Sequence, residues 1–177
     1  MGIIMLTYAG IGSRETPPDT LELMTNIARE LYDLDFTLYS GAADGADTAF
    51  YLGSGDKNRI YVPWKKFNNF HERQYLPIPA AFTIASLVHP AWNNLSYPAQ
   101  KLMARNSHQV LREDLASPVK FVVCWTVDGA ETTKQRSPKT GGTGQAIDLA
   151  SRMGIPVINL ANYNAMDRLN DLLQEYL

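Results

Sequence analysis

Short apolar runs alternate along this chain with stretches in which apolar residues return every three or four positions. The runs fall at residues 3–9, 36–39, 59–62, 119–125 and 154–160, bounded by glycine, proline or polar residues as buried strands are. Between the first two, Leu21, Met24, Ile27, Ala28 and Leu31 share one face of a helix that Thr16 is placed to cap and Pro17 to open. A second helix is expected from near Asp44–Asp47 to Gly53, and a third over about 99–115. A fourth follows Gly144 with Ala146, Ile147, Ala150 and Met153 inward, and a terminal one carries Met166, Leu169, Leu172, Leu173 and Tyr176. Strands alternating with helices imply parallel pairing through right-handed crossovers. The expected fold class is therefore α/β: a three-layer, Rossmann-like open sheet, mostly parallel, of about five strands with helices on both faces. Residues 63–98 break the rhythm with Trp64, Phe67, Phe70, Tyr75, Trp92, Tyr97 and several prolines. They are read as an irregular insertion over the sheet edge or ligand mouth, with a short helix around 80–87.

At 177 residues the chain is long enough for one domain with a sizeable core, so 1–177 is taken as a single unit. Its 16 Lys and Arg against 18 Asp and Glu leave a net charge of −2, which provides no global field for a polyanion but leaves room for a local patch. One cysteine, Cys124, excludes an internal disulfide, and its place mid-strand makes it a core residue. The start, Met1 to Thr7, lacks the basic flank and cleavage site of a secretory leader. Gly2 would suit myristoylation, but Leu6 stands where Ser or Thr is needed. With no apolar stretch of about 20 residues, a cytoplasmic location is expected.

Three glycine turns follow predicted strands: Gly10–Arg14 (with Gly12 and Ser13), Gly41–Asp47 and Gly141–Gln145. In an open parallel sheet such turns share one edge, where backbone N–H groups and helix N-termini favour anions. Arg14 is either a bidentate phosphate holder or a solvated loop residue. Asp44 and Asp47 either cap the second helix or receive ribose hydroxyls. Arg105-Asn106 lies within the third helix, and His108 on the same segment is taken as structural. His71 and His89 have no partners at metal-ligand spacing, so neither a metal nor a cofactor is expected. The polar 128–139 loop reads as mobile; its Lys134, Arg136 and Lys139 would add local positive charge or close over a diphosphate as a lid.

Together, Ile11-Gly12-Ser13-Arg14, Ser40-Gly41-Ala42-Ala43-Asp44-Gly45-Ala46-Asp47, Ala104-Arg105-Asn106 and Gly141-Gly142-Thr143-Gly144 resemble the SLOG superfamily. That group unites the DNA-processing protein A (DprA/Smf) fold with the LOG-type nucleotide hydrolases. The blocks spread over about residues 7–160, and the second block and the Arg-Asn pair look like the DprA branch. The overall look is that of small, stand-alone, phage- or bacterium-encoded members. The LOG motif, Pro-Gly-Gly-x-Gly-Thr-x-x-Glu, is altered: Lys139-Thr140 precede the glycines, Gln145 replaces Thr and Asp148 replaces Glu. If the chain cleaved an N-glycosidic bond, the resemblance would assign Arg105 and the shorter Asp148 as catalytic residues. The retained cradle with an altered acid favours binding. The leading expectation is thus a nucleotide-derived ligand, ADP-ribose-like or cyclic ADP-ribose-like. It would be held by the three turns, with Trp125 or an insertion aromatic on the base. Sequestration of an antiviral signal by a phage protein in the host cytoplasm is the corresponding role. The alternatives are a LOG-like nucleoside-phosphate N-glycosidase and a DprA-like single-stranded DNA binder. The resemblance also implies a homo-oligomer.

Overall fold

The computed structural model describes residues 4–177. The readings placed on Met1, Gly2 and Ile3 lie outside the described residues. Five strands, β1 (Leu6–Gly10), β2 (Phe36–Ser40), β3 (Asn58–Ile60), β4 (Phe121–Cys124) and β5 (Val157–Asn159), form one sheet in the order β3-β2-β1-β4-β5. All four pairings are parallel. The helices are α1 (Pro18–Asp33), α2 (Ala46–Gly53), α3 (Pro79–Val88), α4 (Tyr97–Leu111), α5 (Thr143–Arg152) and α6 (Ala165–Leu173). Successive strand residues point to opposite faces, which splits the core in two. Tyr8, Leu38 and Val123 pack with α1, α2 and α6. Ala9, Tyr39 and Val122 face Val110, Ile147 and Ala150 on the other side. Strand order reverses between β1 and β4, and the chain leaves these neighbours towards opposite faces. A crevice opens at that switch point. No helix among the described residues is long and apolar enough to cross a membrane.

Apart from β4 and β5, whose ends fall inside the expected runs, the structure departs from the sequence reading in four places. Thr16 does not cap α1: its hydroxyl donates to the Ser13 carbonyl at 2.7 Å, and Pro17 takes the N-cap position without a side-chain bond. The third strand is shorter than expected. Tyr61 leaves it for a parallel bridge to Tyr75, so a residue from 63–98 covers the sheet edge. Helix α4 stops at Leu111 because Arg112 turns left-handed, at φ 65°. That turn lets the Tyr39 hydroxyl donate to Glu113 at 2.7 Å and accept from Arg112 Nε at 3.2 Å. The 128–139 loop is pinned, since Asp128 accepts hydrogen bonds from the hydroxyls of Thr126, Ser137 and Thr140 and from the Ala130 N–H. His108 is a packing residue. It stacks on Tyr61 at 4.4 Å, accepts the Ile78 N–H at Nε2 and so donates from Nδ1 to the Arg112 carbonyl.

Candidate functional site

The first two glycine turns are built against each other. Ser40 Oγ donates to the Gly10 carbonyl at 2.6 Å, tying the ends of β1 and β2. Beyond β1 the chain keeps to β4: Ile11 N–H donates to Val123 and Ser13 N–H to Trp125, both at 3.1 Å. At Gly12 a Cβ would lie 2.8 Å from the Ala46 Cβ and 2.9 Å from the Trp125 carbonyl oxygen, so the turn closes only around glycine. Gly45, at φ 82°, brings the start of α2 against the Ser13 carbonyl. The edge these turns share, together with α4 and the start of α5, surrounds a cavity of about 430 Å³. That volume lies within the range of small-molecule sites.

Its deep end is polar. Arg105 and Asp47 are 5% and 4% exposed, so both side chains are withdrawn from bulk solvent. Arg105 donates through Nη1 to the carbonyls of Gly41 and Tyr61 and through Nε to Asn106 Oδ1 at 2.9 Å. Asn106 in turn donates to the Gly142 carbonyl at 3.2 Å, which links α4 to the third turn. Gly41 is the residue that admits this guanidinium, because a Cβ there would run into Arg105 and Gln109. Burial lifts the Asp47 carboxyl to about 6, against the opposing pull of Arg105, the Ala43 N–H and Ser40. Burial likewise lowers Arg105, with Asp47 opposing. Phe67, from the 63–98 segment, lies over the guanidinium at 5.6 Å. With Leu102 and Met103 it makes an apolar wall.

The rim carries the third turn and the exposed charges. Ser137 and Thr140 cap one another reciprocally ahead of Gly141, which sits at φ 66° with open space where a Cβ would go. Gly142 begins α5 without a side-chain cap, leaving the helix start facing the cavity. Arg14 and Lys139 are exposed on the lining. Arg136 is not a lid residue: its guanidinium holds Asp148 at 3.0 Å.

Of the residues anticipated from sequence, Gly12, Ser13, Arg14, Asp47, Arg105, Asn106 and Thr140 to Thr143 gather on the lining. Gly10, Ser40, Gly41 and Ala42 stand behind it, where Ala42 is left-handed at φ 59° and its carbonyl accepts from Asn68. Asp44 faces a shallow groove between α1 and α2, bonded to Asn68 at 2.9 Å. Trp125 contributes its backbone to the first turn, and its ring packs on the core of the α1 side. Gly144 packs on Thr140 and Arg136, and Gln145 is fully buried with neither amide atom hydrogen-bonded among the described residues. Asp148 lies off the cavity, with its oxygens engaged by Thr133 (2.7 Å), Arg152 (2.7 Å) and Arg136 (3.0 Å). Burial alone would raise that carboxyl, but these three partners outweigh it and hold it below the usual range. Sequence reasoning missed Gln109, Leu102 and Met103 as lining residues and left Phe67 among six insertion aromatics. Gln109 was findable, since it stands one helical turn beyond Arg105.

No family model and no curated protein matches the chain. Among solved structures it is similar to DNA processing protein A from Helicobacter pylori, a structure described for that protein's single-stranded DNA binding mode. Identity is 18% and the TM-score 0.45, over 97% of this chain and 82% of that one. It is also similar to DNA processing protein A (DprA) from Streptococcus pneumoniae, at 15% identity and a TM-score of 0.49. That match covers 97% of this chain and 56% of that one.

Proposed function

We propose that this chain binds a phosphate-bearing, nucleotide-derived small molecule in the cavity at the ends of β1, β2 and β4. The observation that carries the reading is the convergence of three glycine turns, the uncapped start of α5, Arg14 and Lys139 on one concave site. Phosphates belong at that rim, where charge and backbone donors are found. The base belongs against Phe67, an insertion aromatic, with Leu102 and Met103, rather than against the alternative Trp125. In its finer form the ligand is ADP-ribose-like and is retained, so that the protein sequesters a signalling nucleotide. Retention over glycosidic cleavage is supported by Asp148, whose carboxylate is spent on Thr133, Arg136 and Arg152. A compact cavity with two exposed cations also favours a small ligand over a strand of nucleic acid, which needs a phosphate-tracking groove.

The test is to denature purified protein and identify what is released by mass spectrometry, then to titrate the emptied protein with ADP-ribose by calorimetry. A stoichiometric ADP-ribose derivative, or its tight binding without release of free base, is the expected result. An empty protein that binds neither ADP-ribose nor mononucleotides would overturn the reading. Release of free base would transfer it to a hydrolase.

A further inference from the structure

The deep end of the cavity differs in chemistry from its rim. Asp47, Arg105 and Gln109 meet there, and none is more than 5% exposed. The carboxylate and guanidinium offset one another, so this end welcomes neither a phosphate nor a cation. Asn106 is engaged at both ends, giving through its amide to Gly142 and accepting through its oxygen from Arg105. Gln109 is different. Its side chain lines the cavity, is 2% exposed as a residue, and has no hydrogen-bond partner among the described residues. Its amide atoms are not sealed in the interior as those of Gln145 are, so its open side is the cavity. Three polar groups of distinct type thus converge: an acceptor only, a donor only, and a carboxamide that is both. Adjacent hydroxyls on one ring, each able to donate and accept, complement that set without bringing net charge.

We propose that Gln109, with Asp47 and Arg105, forms a sugar-reading subsite that takes the vicinal hydroxyls of a ribose while the phosphate stays at the rim. Asp47 accepts from one hydroxyl, Arg105 donates to its neighbour, and Gln109 bridges the pair and sets the preference for ribose over deoxyribose. Gly41 maintains the subsite by leaving room for both the guanidinium and the carboxamide.

This inference rests on the nucleotide reading, and the experiment separates the two. Adenosine monophosphate, its 2′-deoxy and 3′-deoxy forms and inosine monophosphate are titrated by calorimetry into wild type, Gln109→Leu and Gln109→Glu. The folding of both variants is checked by thermal melting. Wild type is expected to prefer the ribonucleotide over either deoxy form by about tenfold. Gln109→Leu should cut that preference to about threefold or less, with the larger loss of affinity falling on the ribonucleotide. Equal binding of ribose and deoxyribose forms by wild type, or full discrimination in Gln109→Leu, overturns the subsite and leaves nucleotide binding intact. Loss of adenine-over-hypoxanthine preference in the variants, with the sugar preference unchanged, also overturns it and makes Gln109 a base reader. Binding of none of the four overturns the subsite, and failure of ADP-ribose to bind as well overturns the nucleotide reading with it.

Discussion

Asp47 and Asp148 show what surroundings do to two aspartates of equal formal charge. Asp47 is desolvated more than it is paired, so its carboxyl rises from 3.8 to about 6. The folded protein then binds this proton more tightly than the unfolded chain. The group's contribution to stability therefore falls as pH rises from about 3.8 to about 6 and stays reduced above it. Urea denaturation of Asp47→Asn alongside wild type should show the difference between them moving in the variant's favour across that window. A constant difference would remove the assignment. Asp148 is the reverse case, with a carboxyl held low by three partners. Its replacement by alanine leaves Arg136 without its partner and should cost about 3 kcal/mol of unfolding free energy. Ligand affinity should change by no more than about twofold. A large loss of affinity with intact stability would mean that Asp148 acts in the site.

At the scale of elements, α4 supplies one wall of the site and the 128–140 segment leads into its third turn. Helix α4 presents Leu102, Arg105, Asn106 and Gln109 to the cavity from one face, which follows from a 3.6-residue turn. The register of that face depends on Gly41, so Gly41→Ala should weaken nucleotide binding at least tenfold by displacing Arg105 and Gln109. Binding at wild-type affinity would show that the guanidinium position is dispensable. The 128–140 segment is polar enough to suggest mobility, yet Asp128 ties it through three hydroxyls and an N–H. Asp128→Ala should therefore speed cleavage by trypsin after Lys134, an exposed residue within it. Unchanged digestion kinetics would locate the restraint elsewhere, for example in the Arg168–Glu131 pair.

For the whole molecule, the cavity joins elements from both faces of the sheet, since α2 belongs to one layer and α4 and α5 to the other. A ligand bridging them should stabilise the fold globally. At about one hundred times its dissociation constant it should add about 2.7 kcal/mol, raising the melting temperature by about 5 °C or more. Scanning calorimetry with ADP-ribose measures this, and no shift at saturating concentration would argue against a site that spans the layers. Much of this architecture was legible in advance. The strand and helix alternation follows from short-range patterning that any α/β chain must carry, whereas the strand order β3-β2-β1-β4-β5, and with it the switch point, came only with the structure. Much of the rim was legible too, because glycine turns after strands have only one edge on which to meet.

The sequence by itself determined the order of elements, the parallel sheet and the location of the three turns. Periodicity and turn chemistry are local properties, and they remain readable without knowing what lies across the fold. Only the tertiary structure decided which charges remain available to a ligand. Arg105 is turned inward over Gly41, Arg136 is drawn away to Asp148, Phe67 is folded back from a distant segment, and Gln109 finds no hydrogen-bond partner among the described residues. These outcomes depend on burial and pairing between residues far apart in sequence. The cost of desolvating a charge and the partner that offsets it are set jointly, by groups that meet only once the chain has folded.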